Sequence, residues 1–330
     1  MLRIHAMANK AVLAGGNGFL GRALAQRLAA DGWEVVILTR DPDNFPPREG
    51  AVRAVGWNGE TAGGWRKELD GAAALVNFTG RSINCVHSLE NSDEILESRI
   101  NSVRALGAAV AKVRQPPSVW VQCSAAGYYG NAGDDVREEH SMPGRGFLAE
   151  VCRQWETEFN QLELPGTRRV ILRLGVVLDR QAGVLPPLLG LVREYLGGTA
   201  GNGRQYFSWI HREDMVRIFV AALTQPEFSG VYNACAPEPV TNDELMHSLR
   251  TALGRPWCPR APEFIVRLAA RRWLKTESSL ILHGQRVMPA RLLAGGFVFK
   301  YDRLAAALAE LVDRASARPG PPHPAGGGGG

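Results

Sequence analysis

The 330-residue chain has no apolar run approaching the ~18–20 residues that a bilayer-spanning helix needs, which excludes a polytopic membrane protein. Cysteine is scarce: five residues, at positions 85, 123, 152, 235 and 258, odd in number, widely spaced and never in a CxxC pair. That usage fits reduced thiols in a cytosolic protein and argues against a disulfide scaffold or a bound metal. Neither sign of charge dominates, since 38 Lys and Arg face 33 acids for a net +5. No basic block is interleaved with aromatics, so nucleic acid is not an expected partner, while an anionic substrate or cofactor suits the small excess. The densest basic run, Arg271-Arg272-Trp273-Leu274-Lys275, follows an apolar stretch and reads as a solvated helix end. No internal repeat is present. The start, MLRIHAMANKAVLAGG, lacks the apolar core and cleavage site of a signal peptide. No leader is expected, Met7 is an alternative start, and the default location is the cytoplasm.

What is present is ordinary globular composition, 45% apolar and 22% charged, in a length that suits one large domain or two modest ones. The first half alternates short apolar runs with helical patterns. Strands are expected at Lys10–Ala14, Trp33–Leu38, Ala73–Phe78, Val119–Cys123 and Arg169–Leu174. Helices are expected at Phe19–Ala30, Ile95–Val113 (stopped by Pro116-Pro117) and Gly146–Gln161. This alternation predicts an α/β fold with a doubly wound, mostly parallel sheet (Rossmann), whose strands are apolar because both faces are covered. The second half is less regular and predicts a smaller C-terminal α+β substrate lobe. A helix is expected at Arg212–Leu223 and a strand at Val231–Ala234. Thr241 and Glu244 have capping-box spacing at the head of a helix to Leu253. The expected division is 9–177 for the dinucleotide-binding part, 178–313 for the lobe with 205–236 returning to the sheet, and 314–330 as a disordered, glycine-rich tail.

Between the first strand and first helix stand Gly15, Gly16, Asn17, Gly18, Phe19, Leu20 and Gly21, a GxxGxxG spacing. A tight turn there needs positive φ, close backbone approach to a pyrophosphate, and close packing of helix on sheet. The pyrophosphate would rest on the helix N-terminus, where free N–H groups favour negative charge. The second strand ends Ile37-Leu38-Thr39-Arg40 with no acid in the position that holds a ribose 2′-OH. Arg40, a fixed cation with planar donors, suits a 2′-phosphate, so NADP is expected rather than NAD. Trp57-Asn58 is a weaker candidate to flank the adenine.

Several segments resemble the extended short-chain dehydrogenase/reductase superfamily. Val76-Asn77-Phe78-Thr79-Gly80 is similar to its strand-four element that lines the cofactor. Glu97-Ser98-Arg99-Ile100, Ser124-Ala125-Ala126-Gly127-Tyr128-Tyr129-Gly130 and Gly201-Asn202-Gly203-Arg204-Gln205-Tyr206-Phe207-Ser208-Trp209-Ile210-His211 narrow the likeness. So does Gly284-Gln285-Arg286-Val287-Met288-Pro289 through Gly296-Phe297. Over roughly 9–313 the chain is identified as a member of the atypical, nucleoside-diphosphate-sugar-epimerase-like "epimerase family". The resemblance implies Phe78, Thr79 and Gly80 as cofactor neighbours.

One thing the resemblance leads one to expect is missing. The superfamily's proton donor is a Tyr in YxxxK, and none of the six tyrosines here has Lys four residues on. Phe147 and Val151 fall at those positions, and neither exchanges a proton; Arg99 falls where a structural Asn is usual. Ser124 is the candidate to polarise a substrate carbonyl, with Ala125 at that place in the alternative register. Tyr128 and Tyr129 are the candidate proton donors, set against a packing role for each. Arg173, Arg204 and Gln205 are candidates to meet an anionic substrate; His211 is a further substrate candidate, though a structural role at a helix start is the preferred reading for it. The glycines and aromatics of the 201–211 string are expected to cap the cleft, set against simple core filling. The expected function is an NADP-dependent oxidoreductase or epimerase acting on a small polar, sugar-nucleotide-like substrate. The alternative is an NADP(H)-binding regulatory or scaffold protein without turnover. The expected partner is a small molecule, with a homodimer left open.

Overall fold

Lys10–Ala14 (β1) is four-fifths buried, as a strand covered on both faces must be. It pairs in parallel with Glu34–Thr39 (β2) on one side and Ala74–Asn77 (β4) on the other. Outward from β2 lies Val52–Gly56 (β3). Outward from β4 lie Val119–Ala125 (β5), Arg168–Leu174 (β6) and Gly230–Ala234 (β7), every pairing parallel. The computed structural model describes residues 9–43, 45, 51–255 and 257–316, so the tail from 317 and Met7 lie outside the described residues. The sheet order is β7-β6-β5-β4-β1-β2-β3, and the chain reverses direction across the sheet between β1 and β4.

Right-handed crossovers place helices on opposite faces on the two sides of that reversal. Phe19–Ala30 (α1) packs beside Arg212–Thr224 (α5), and Leu89–Val110 (α2) packs beside Phe147–Gln161 (α3). The α2 helix begins six residues before the expected Ile95, because Ser88 caps it: its hydroxyl accepts from the Asn91 N–H at 3.2 Å. β5, β6 and β7 run one or two residues longer than their apolar runs, β2 is shifted by one, β4 is two residues shorter than expected, and 230–234 rejoins the sheet as its edge strand.

A second core lies over the carboxyl side of the chain's later strands. It is built from Leu185–Arg193 (α4), Asn242–Ala252 (α6) and Leu304–Ser316 (α7), with Leu189, Leu245, Leu249, Leu308 and Trp209 buried in it. The capping box on α6 is complete: Thr241 accepts from the Glu244 N–H at 3.2 Å, and the Thr241 N–H donates to the Glu244 carboxylate at 2.7 Å. The last helix carries on through Ser316, past the expected boundary at 313. Among the described residues no helix is long and apolar enough to cross a membrane.

Candidate active site

The first βα turn is shaped by three glycines for three different reasons. Gly15 holds φ +67°, and a side chain there would collide with Thr79 at 2.9–3.0 Å. Gly21 touches the preceding turn so closely that a Cβ would lie 2.4 Å from the Gly16 carbonyl oxygen. Gly18 is different: a Cβ there meets nothing within 4 Å. It is the residue before α1, it offers no side-chain cap, and the first turn carries no acid. The backbone N–H groups of Asn17 to Gly21 find no acceptor among the described residues, in contrast to Arg22, whose N–H reaches the Gly18 carbonyl at 2.9 Å. An uncapped helix start with open space before it is a place for an anion.

Two neighbours complete the turn. Arg22, which sequence reading passed over, donates to the Asn17 carbonyl at 2.8 Å and to its side-chain oxygen at 2.6 and 3.0 Å, pinning the loop. A cation one turn into the helix was the signal for it. Thr79, against Gly15, buries its Oγ1 with no hydrogen-bond partner among the described residues, although its N–H is satisfied by Asn77 at 3.0 Å. Asn77 is in turn fixed by Gln122 and Ser102 at 3.1 and 3.3 Å. A buried hydroxyl without a partner is costly unless something outside the chain supplies one. Phe78 lies 5.1 Å from the Phe219 ring, and Gly80 follows at the surface. At the end of β2, Thr39 is buried and Arg40 is exposed. Trp57 faces inward, 5.0 Å from Trp65, with its indole N–H on the Thr61 carbonyl at 3.1 Å, so it fills core rather than flanking a ligand.

Beyond β5 the candidate catalytic residues divide. Ser124 is 3% exposed and gives its one hydroxyl hydrogen to Glu156 at 2.6 Å. Arg173 grips the same carboxylate with two bonds, Nε to Oε1 at 2.9 Å and Nη2 to Oε2 at 2.8 Å. Its Nη1 donates to the Tyr129 hydroxyl at 2.8 Å, and that hydroxyl lies 2.7 Å from Asn233 Oδ1 and 2.9 Å from the Glu138 carbonyl. Tyr129 is 1% exposed, and burial pushes its phenol up to about 12. For Arg173, burial works to lower the pKa, but the bonds and charge of Glu156 prevail and raise it. Ser124, Tyr129 and Arg173 are therefore consumed by a buried network centred on Glu156, and none offers a free proton or charge to a substrate. Sequence reading missed Glu156; the signal for it is its place on the apolar face of α3, four residues after Cys152 and three before Phe159, where Glu150 and Glu158 do not fall.

Tyr128 remains half-buried at the edge of this network. The Arg173 guanidinium carbon stands 3.4 Å from its ring centre, and Tyr129 meets it edge-on at 5.3 Å. Burial raises the Tyr128 phenol's pKa, with Arg173 opposing. Phe147 and Val151 sit on α3 where a Tyr and Lys were looked for, and Val151 is buried.

The substrate candidates are not brought together. Arg204 is exposed and pairs with Asp134 at 3.2 Å. The Gln205 amide spans the carbonyls of Ala200 and Ile281, each at 3.1 Å. His211 caps α5: its Nδ1 accepts from the Glu213 N–H at 3.1 Å, its Nε2 faces Glu310 at 3.2 Å, and its ring stacks on Tyr301 at 3.9 Å. Trp209 is fully buried in the second core and Phe207 packs against that core, so these aromatics fill space rather than wall a cleft. The string does approach the loop after Tyr129, for Gly284 lies against Tyr206 and its carbonyl accepts from Ala132 at 3.1 Å. A cavity of about 480 Å³ lies elsewhere, between α1 and the start of α5, bordered by Gln26, Arg27, Asp179, His211 and Glu310.

A parallel sheet that reverses at β1/β4, with an open glycine turn at that point, is a Rossmann-like fold. Residues 11–235 match the NAD dependent epimerase/dehydratase family, and residues 261–311 match a domain of unknown function, DUF1731. The chain belongs to the NAD dependent epimerase/dehydratase family. It is 36% identical over 307 residues to the chloroplastic SDR39U1 homolog of Arabidopsis thaliana, covering 90% of this chain and 85% of that one. The human epimerase family protein SDR39U1 (isoform 2), solved with NADPH, superimposes with a TM-score of 0.81 at 31% identity, covering 92% and 99%. A nucleoside-diphosphate sugar epimerase from Corynebacterium glutamicum gives 0.74 at 31% identity, covering 92% of this chain and 58% of that one.

Proposed function

We propose that this chain is an NADP(H)-dependent oxidoreductase of the epimerase/dehydratase family, acting on a small polar carbonyl compound in a cytosolic setting. The observation that carries the reading is the first βα turn: open space at Gly18 and, among the described residues, no acceptor for the N–H groups from Asn17 to Gly21 and no partner for the Thr79 hydroxyl. Those features fit a pyrophosphate, and the human relative solved with NADPH supports them. In this reading Gly15, Gly16, Asn17, Gly18, Phe19, Leu20 and Gly21 form the pyrophosphate cradle. Thr39 and Arg40 meet the adenosine half, Arg40 taking the 2′-phosphate, and Phe78, Thr79 and Gly80 line the other half.

Bound nicotinamide supplies hydride at its C4. The chain supplies binding, orientation and the proton. Tyr128, half-buried at the edge of the network, is the phenol assigned to deliver a proton during carbonyl reduction. Burial raises its pKa and so weakens it as an acid, and the Arg173 guanidinium against its ring works in the opposite direction, toward proton release. A second reading, cofactor binding without turnover, is favoured by Phe147 and Val151 at the dyad positions and by the commitment of Ser124 to Glu156.

Transfer of deuterium from 4-deuterated NADPH to a panel of small aldehydes and ketones separates the two. Turnover that Tyr128→Phe slows supports the reductase. Tight NADPH binding with no transfer to any carbonyl supports the second reading, and absence of NADPH binding removes both.

A further inference from the structure

Arg99, on α2, is held without a counter-ion among the described residues. Its Nη1 donates to the carbonyls of Arg81 at 3.1 Å and Ile95 at 2.8 Å, and its Cζ lies 5.1 Å from the Trp155 ring on α3. Gly80 covers the guanidinium plane. A Cβ there would lie 3.0 Å from Cζ and 3.2 and 3.3 Å from Nη2 and Nε, nearly equidistant, so Gly80 sits over the face and leaves the edge clear. The ionisable group that acts on Arg99 is the Cys152 thiol, and burial pushes that thiol up to about 11, so it is neutral at pH 7. Burial lowers the Arg99 pKa, yet a guanidinium stays charged at ordinary pH.

The unused donors matter most. Nε and Nη2 have no acceptor among the described residues, and together they form the edge that meets two oxygens of a carboxylate or phosphate side by side. Their place in the fold is equally specific. Gly80 follows Thr79, which packs on Gly15, while Cys152 lies where a Gly127 side chain would come within 3.9 Å of it. Arg99 therefore stands between the exits of β4 and β5, whereas Arg40 stands across β1, at the exit of β2. A dinucleotide with its pyrophosphate at the head of α1 sends its two halves to opposite sides of the switch point, and the reacting half falls on the Arg99 side.

We propose that the Nε–Nη2 edge of Arg99 is an anion-recognition site that binds the carboxylate or phosphate of an acidic carbonyl substrate beside the cofactor's reacting half. The assignment rests on the cofactor reading above and narrows its substrate class.

Titration calorimetry of the full chain with oxalate and with inorganic phosphate, alone and with saturating NADPH, tests it. The expected result is one saturable anion site in the NADPH-loaded protein, weakened roughly 10- to 100-fold by Arg99→Met, the range for hydrogen bonds to charged groups. NADPH affinity stays unchanged. Arg99→Lys keeps the charge without the fork and recovers only part of the anion affinity; it also reports on the site if Arg99→Met does not fold. Anion binding that neither variant alters overturns the proposal. So does loss of NADPH affinity in both variants with no anion bound to the loaded wild type, because the edge then holds the cofactor's own phosphate. If the wild type binds no NADPH, the cofactor reading fails by itself. Arg99-dependent anion binding to the unloaded chain then sustains the anion site, and its absence removes it.

Discussion

Arg40 is exposed at the end of β2, on the side of β1 away from Arg99, with no acid among Ile37-Leu38-Thr39 just before it. Arg40→Ala should weaken NADPH roughly 10- to 100-fold, as loss of charge-assisted hydrogen bonds does, while leaving NADH nearly unaffected. Fluorescence titration with both cofactors checks this, and an equal loss for the two would show that Arg40 does not select the 2′-phosphate. At this scale the sequence was readable wherever the constraint is local. The need for positive φ at Gly15 and for close contact at Gly21 is written in the turn itself. The role of Ser124 was not readable, because its partner Glu156 lies 32 residues away on another element. The engagement of Tyr129 and Arg173 in the same network was unreadable for the same reason: burial and long-range bonds, not residue type, decide what a polar group is free to do.

Elements were legible to the extent that their signals are short-range. The Thr241–Glu244 box lies within one turn and was found where its spacing put it. The start of α2 was missed because Ser88 precedes a polar first turn, where apolar periodicity is silent. His211 gives the α5 helix a titratable cap. Its Nδ1 must be unprotonated to accept from Glu213, and burial lowers its pKa below the usual 6.5, against the pull of Glu310, Asp214 and Glu213. As pH falls, the unfolded chain takes up the proton first, so the stability this cap contributes is complete above about 6.5 and is lost on acidification through the folded value. Urea unfolding at pH 8 and pH 5.5 should show a decline that His211→Asn, which keeps a capping side chain without titrating, makes shallower. An unchanged slope in that variant would contradict the assignment.

Across the whole molecule, the Glu156 network joins α3, β5 and β6 to the C-terminal segment. Asn233 donates to the Met288 carbonyl at 2.9 Å, and Glu139 accepts from the N–H groups of Asn233 and Arg291 at 3.0 and 3.3 Å. Arg173 and Glu156 are both almost fully enclosed, with 4% and 7% of their side chains exposed. Glu156→Gln leaves a buried cation uncompensated and should cost about 3–5 kcal/mol of stability, whereas Glu156→Leu with Arg173→Met should recover most of it. Chemical denaturation measures both, and a loss well under 1 kcal/mol for the single change would show that water reaches the pair.

The overall topology was legible because strand–helix alternation and right-handed crossovers leave few arrangements for such a chain. For the 201–211 string the core-filling alternative holds for Phe207 and Trp209, which meet a second core that no local pattern announces. The central claim is that the open turn at Gly18 receives a dinucleotide pyrophosphate, and the direct measurement is NADPH affinity in the wild type and in Gly18→Ala. Because the added methyl meets nothing in the protein, the variant should melt at the wild-type temperature yet bind NADPH far more weakly. Equal affinity in the folded variant, or no NADPH binding by the wild type, would contradict the account.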